Sequence, residues 1–250
     1  MEIGEIGIIG FGKFGQFIAK HLKSKALVFA TSKFNNKKEA EELGVNFVSL
    51  EEVLKKKIII IAVSMDEFEQ TLEKIKDKVL PGTVIIDVCS LKMFPCKAMQ
   101  EILPKSVEII GTHPLFGPNS AKSTLDGLKI ALCNVRASES TLSKVKSFCE
   151  SLGLKAIITT PEEHDKQMAE SQALTHFIGR VIDNSGIKKP VLTTKTFDDL
   201  MKIVDIVTSN RNELFENIET RNPYAKEIRK KFIKSSIDLD KKLKDIENKK

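Results

Sequence analysis

The 250 residues include no tryptophan, a single tyrosine (Tyr224), four cysteines and four histidines. The cysteines (Cys89, Cys96, Cys133 and Cys149) are scattered, with no C-x-x-C pair and no histidine at metal-ligand spacing. That argues against a zinc site or a disulfide framework, so reduced thiols and no metal are expected. Long apolar runs are also missing. The longest, IIIIAV (58–63), suits a buried parallel strand and falls far short of a bilayer span. No charged leader precedes the first strand, EIGIIG, and the expectation is a cytoplasmic protein without membrane contact. The net positive charge is not spread over the chain either. Of the net charge of +6, +5 lies between Lys226 and Lys250, where ten Lys/Arg stand against five Asp/Glu. Such a tail reads as a solvated helix face, so no nucleic-acid partner is expected.

All thirteen glycines lie at or before Gly186, and the pattern of the chain changes near residue 160. Up to there, short apolar runs alternate with polar stretches of helix length. The runs are EIGII (5–9), ALVFA (26–30), KIIIIAV (57–63), TVIIDV (83–88), VEIIG (107–111), KIALC (129–133) and KAIIT (155–159). This alternation predicts an α/β domain over 1–160, a Rossmann-type doubly wound parallel sheet. TPEE (160–163) then opens a helix: Thr160 can cap it, Pro161 suits the first turn and Glu163 completes a capping box. Apolar residues from Met168 to Ile182 continue at helical spacing, and two more helices are expected at roughly 196–219 and 223–247. The second domain, 161–250, is therefore read as all-helical.

G-x-G-x-x-G occurs as Gly10, Gly12 and Gly15, directly after a strand and opening a helix, the context that favours a dinucleotide. Gly10 makes the tight turn, Gly12 admits the pyrophosphate and Gly15 allows close helix–strand packing. The helix N-terminus offers amides and positive dipole to the phosphate. Phe11, Lys13 and Phe14 share this loop, and Val63 and Ser64 follow the IIIIAV strand; all are candidate cofactor contacts. After the second strand the chain reads VFATSKF. Thr31, Ser32 and Lys33 stand where an NAD enzyme usually places an acid for the ribose. A hydroxyl and an ammonium suit a 2′-phosphate, so NADP is the expected cofactor, with NAD as the alternative.

Residues 111–122, GTHPLFGPNSAK, set His113 at the mouth of a strand on a backbone stiffened by Pro114. DVCSLK (87–92) follows the preceding strand, and in doubly wound sheets ligands bind outside the carboxyl ends of strands. On the long helix, Gln172, His176 and Arg180 recur every four residues, a polar stripe on an otherwise apolar element. A buried polar stripe must be satisfied by a network or by a ligand.

Together IGFGKFGQFIAK, DVCSLK, THPLFGPNSAK, HDKQMAESQALTHFIGR, TTKTF and NPYA resemble the prephenate/arogenate dehydrogenase family of tyrosine biosynthesis, closest to its arogenate-dehydrogenase-like branch. The resemblance implies oxidative decarboxylation of prephenate or arogenate with NADP, giving 4-hydroxyphenylpyruvate or tyrosine. It makes His113 the catalytic group at the 4-hydroxyl, with Ser90 hydrogen-bonding nearby to fix the geometry. His176 would line the substrate pocket with Gln172 and Arg180, and Lys92 would position its loop or add positive potential. Where other branches carry a carboxylate-binding arginine, KTFDDLMKI offers Lys195 and Lys202, which cannot make the planar two-pronged contact. Arg180, or Arg211 or Arg221 from a second subunit, are the alternatives. Arogenate-specific members carry an acid in the stretch that reads IALCNVR here; Cys133 and Asn134 leave an ammonium without an anion, which leans toward prephenate. A homodimer through the helical domain is also implied, and no separate regulatory module is expected. The rival readings are a β-hydroxyacid dehydrogenase-like reductase, which would rely on a lysine in the helical domain, and a non-catalytic NADP-binding sensor.

Overall fold

The computed structural model describes residues 4–121 and 124–249. The chain forms two compact units, one ending at His164 and one beginning at Asp165.

Among the described residues the first unit has eight strands: β1 (Glu5–Ile9), β2 (Leu27–Thr31), β3 (Asn46–Phe47), β4 (Ile58–Ile61), β5 (Val84–Asp87), β6 (Glu108–Pro114), β7 (Lys129–Arg136) and β8 (Lys155–Ile158). Between them lie α1 (Lys13–Leu22), α2 (Lys37–Leu43), α3 (Leu50–Leu54), α4 (Phe68–Ile75), α5 (Met93–Ile102) and α6 (Glu139–Ser151), and α7 (Pro161–Met168) follows β8. The sheet order is β3-β2-β1-β4-β5-β6-β7-β8. Strands β1 to β6 are parallel, so their carboxyl ends share one edge. The order reverses between β1 and β4, which marks that edge as the place where a ligand binds.

The strands are near-continuous β-branched runs because both faces are covered. Ile6, Ile8, Ile60, Ile86 and Ile110 form one core with Ala19 and Leu22 of α1 and with Leu142 and Val145 of α6. The alternate residues Ile9, Ile59, Ile61, Ile85 and Ile109 form the other, with Val53, Phe68, Leu72, Ile75 and Met99. Burying each such side chain is worth about 1.5–3 kcal/mol, so the sheet is a rigid platform for its loops.

The sheet is mostly parallel, as expected, with three departures. The two-residue strand β3 adds an edge the sequence pattern does not mark. Strand β6 runs three residues past Gly111 to Pro114, so His113 lies within a strand, opposite Ala131 of β7. Pro114 is tolerated because its missing N–H falls at the strand's end. Finally, β7 is antiparallel to β6, while β8 is parallel to β7. Among the described residues between β6 and β7 there is no helix to carry a right-handed crossover, so the chain returns in the opposite direction.

Thr160 accepts a hydrogen bond from the Glu163 amide at 3.2 Å, the cap predicted for α7. The second unit continues from α7 through a π-helical turn (Ala169–Ala173) into α8 (Leu174–Asn184), followed by α9 (Lys195–Thr208), α10 (Asn212–Arg221) and α11 (Ala225–Glu247). The single helix expected at 196–219 is thus two, broken at Ser209–Arg211. Serine and asparagine there compete with the helix for backbone partners, and the Ser209 hydroxyl donates back to Ile206 O at 2.8 Å. Buried Asn222 opens α11: it accepts from the Tyr224 amide at 3.0 Å and donates to Asp165 O at 2.8 Å. Helices α8 and α9 approach closely at Gly179, where a Cβ would lie 2.3 Å from Val207 Cγ2. The buried core of this unit is small, centred on Ala173, Ile218 and Ala225. Among the described residues, no helix is long and apolar enough to cross a membrane.

Candidate active site

The shared carboxyl edge of the parallel strands carries the glycine loop. Gly10 has φ +102°, and a Cβ there would meet Ala62 O at 2.5 Å, so only glycine makes this turn. At Gly15 a Cβ would fall 2.1 Å from Gly10 O, which is how α1 comes down onto the turn. A Cβ on Gly12 would meet nothing within 4 Å, leaving an open approach to the backbone. Gly12 caps α1 without a side-chain hydrogen bond, so the first amides of the helix are available to an anion. Gln16 braces the loop by donating to Phe11 O at 3.0 Å. The Phe11 ring itself is fully buried and lies 6.2 Å from the Phe47 ring, so Phe11 can meet a dinucleotide only through its backbone. Lys13 is exposed, and Phe14, Val63 and Ser64 are half-buried at the same edge. The open cradle and free helix end fit a dinucleotide pyrophosphate.

Thr31 ends β2 and Ser32 follows it, both half-buried, and the Ser32 hydroxyl accepts from the Phe34 amide at 3.2 Å. Lys33 is exposed and ion-pairs with Glu67, which lies shortly after β4. The sequence shows no acid beside Lys33; folding supplies one from 34 residues away.

His113 is buried at this edge, and its Nδ1 lies 2.9 Å from Nε2 of His164 on α7. One of these nitrogens donates and the other accepts. Burial, then the neighbouring His164 and the Lys92 ammonium, hold the His113 pKa well below that of an ordinary imidazole. At neutral pH the ring is an uncharged base.

Behind His113 lies a fully buried ion pair between Lys92 and Asp87. Burial is the largest single influence and pushes the Lys92 ammonium down, but the Asp87 carboxylate together with Cys96 and Cys89 outweighs it, and the net shift is upward. Asp87 also accepts from the amides of Cys89 (2.9 Å) and Thr112 (3.2 Å), and the Thr112 hydroxyl donates to Asp87 O at 2.6 Å. Removing one partner from such a pair costs about 3–5 kcal/mol, so DVCSLK acts as a clamp on the strand that presents His113. Ser90 is half-buried in the clamp, and its hydroxyl makes no hydrogen bond among the described residues. The hydrogen-bond partner of His113 is His164, which the sequence motifs leave without a role. Lys122, at the end of THPLFGPNSAK, lies outside the described residues.

On the second unit the polar stripe is present and unsatisfied. Gln172 Oε1, His176 Nδ1 and Arg180 Nε are buried without a hydrogen-bond partner among the described residues. Burial and, second, the adjacent Arg180 lower the His176 pKa. Arg180 is held by Asn210 O at 3.2 Å, a carbonyl at the α9–α10 break, with its guanidinium 5.4 Å from the Phe215 ring centre. Lys195 and Lys202 are not brought to this stripe. Both are exposed and ion-pair with Asp199, because residues 195, 199 and 202 share the face of α9 opposite Val204. The stripe's cation is Arg180.

The chain matches the family model described as "Prephenate dehydrogenase, nucleotide-binding domain" over residues 14–158. It is 31% identical over 238 residues to arogenate dehydrogenase 1, chloroplastic, of Arabidopsis thaliana, which covers 91% of this chain and 37% of that protein. Arogenate dehydrogenase 2 of the same plant is 30% identical, covering 89% of this chain and 65% of the relative. The chain thus spans less than two thirds of either relative's length. A crystal structure of prephenate dehydrogenase from A. aeolicus, in complex with hydroxyphenyl propionate and NAD+, superposes with a TM-score of 0.79 at 18% identity. That likeness covers 96% of this chain and 91% of the other, and it concerns the fold.

Proposed function

The chain belongs to the prephenate dehydrogenase family, and from that premise we propose that it oxidatively decarboxylates prephenate or arogenate with NADP as hydride acceptor. The observation that carries this reading is His113, a buried neutral imidazole on the same sheet edge as the glycine cradle.

The bound nicotinamide would supply the hydride acceptor. The protein's part is to orient the ring, accept the 4-hydroxyl proton as the carbonyl develops, and hold two carboxylates. A positioned imidazole contributes about 10²–10⁴-fold as a general base. His113 takes the hydroxyl proton while hydride leaves the same carbon. Carbon dioxide then departs, its bonding electrons aromatise the ring, and the phenolate recovers the proton. Ser90, with its open hydroxyl, is a candidate second contact to the substrate oxygen. Gln172, His176 and Arg180 are the proposed substrate-binding side chains, since their buried unpaired atoms await polar partners. Lys195 and Lys202 are left out of that set because Asp199 engages both.

NADP is favoured by Thr31, Ser32 and Lys33, whose ammonium would exchange Glu67 for a 2′-phosphate. Prephenate is favoured because neither Cys133, which is buried, nor Asn134, which turns to Ala137 O at 3.1 Å, offers an anion to an ammonium. A cytoplasmic homodimer paired through the helical unit completes the reading.

The test is reduced-nicotinamide formation by the purified protein, with NADP or NAD against prephenate or arogenate. Turnover with either substrate supports the proposal. No turnover in all four mixtures, with NADP still binding, overturns it and leaves the β-hydroxyacid dehydrogenase-like reductase or the nucleotide sensor.

A further inference from the structure

We propose that His164 is a positioning residue for His113, accepting a hydrogen bond from Nδ1–H of His113 and so leaving its Nε2 lone pair bare to act as the base. The inference rests on the functional reading above, but the arrangement itself does not. Two buried histidines, 51 residues apart in sequence, meet Nδ1 to Nε2 at 2.9 Å, with ring planes at 67°.

A histidine can take a hydroxyl proton only through an unprotonated nitrogen, and a free imidazole favours the tautomer with its proton on Nε2, the wrong one here. A working histidine therefore needs an acceptor at Nδ1, most often a carboxylate or a carbonyl. The nearby carboxylate of Asp87 is engaged by Lys92 and by the amides of Cys89 and Thr112. The acceptor within reach of Nδ1 is His164.

A neutral acceptor has a different consequence from an anionic one. It fixes the tautomer without making the base more basic, so His113 stays uncharged in its buried setting beside Lys92. When His113 takes the substrate proton, the bond to His164 holds the resulting imidazolium in place until the proton returns to the phenolate.

The experiment is long-range nitrogen–proton correlation NMR on the full-length protein labelled with 15N-histidine, with the His113 signals assigned from the His113→Asn variant. It is paired with kinetics of His164→Phe and His164→Gln. A protonated Nδ1 and bare Nε2 on His113 are expected in the unliganded wild type. His164→Phe should cut kcat by about 10–100-fold, the usual cost of removing the group that orients a functional histidine, with KM and NADP affinity unchanged. His164→Gln, whose amide oxygen can accept, should recover part of the loss. A proton on His113 Nε2 in the wild type would overturn the proposal, as would wild-type kcat in His164→Phe. Should His164→Phe not fold, the wild-type tautomer and the Gln variant still decide. Lack of turnover in the wild type would instead count against the functional reading, with the tautomer still deciding the pairing.

Discussion

Burial above all, and then the neighbouring His164 and Lys92, disfavour a proton on His113. A lowered pKa means that the neutral, working form persists to lower pH than an ordinary histidine, near pH 6.5, would allow. The acid limb of kcat/KM should therefore lie clearly below pH 6.5, and an acid limb at or above that value would contradict the assignment. The same shift bears on stability. Between the two pKa values the unfolded chain binds the proton and the native one does not, so the fold loses stability as pH falls below about 6.5. The place of His113 near the end of a strand was legible from the β-branched run before it and Pro114 after it, because local sequence carries both signals. His164 was not, since only the closed sheet and the start of α7 bring it to a residue 51 positions away. The Lys33–Glu67 pair was hidden for the same reason.

Helices and their turns account for the next layer of behaviour. At Gly12 a side chain would meet no protein atom, whereas at Gly15 it would collide with the backbone of Gly10. Gly12→Val should keep the wild-type melting temperature and lose NADP binding, while Gly15→Val should lower the melting temperature itself. Calorimetric titration and thermal melts separate the two. On the second unit, Arg180→Gln should raise KM by about 10–100-fold through one charged hydrogen-bonding group. Lys195→Ala and Lys202→Ala should leave KM unchanged; a KM effect confined to the lysines would restore the expectation drawn from the sequence. The strand–helix alternation was readable because its periodicities are local. The reversed β7 was not, because direction depends on the connection and not on the strand's own residues. The break at Ser209–Arg211 was masked by apolar residues that keep helical spacing on both sides of it.

At the scale of the molecule, the helical unit has a small buried core and leaves Leu200, Ile203, Ile206, Ile237 and Leu243 exposed. In the proposed homodimer a second copy would cover this apolar surface. Sedimentation at micromolar concentration should give a dimer, and a monomer would remove that part of the reading. The chemistry turns on His113 as the base. Its most direct test is reduced-nicotinamide formation by wild type and His113→Asn with NADP and either substrate, alongside the NADP affinity of both. Turnover is expected in the wild type and, in the variant, a loss of about 10²–10⁴-fold with NADP affinity unchanged. Near-wild-type turnover in His113→Asn would contradict it.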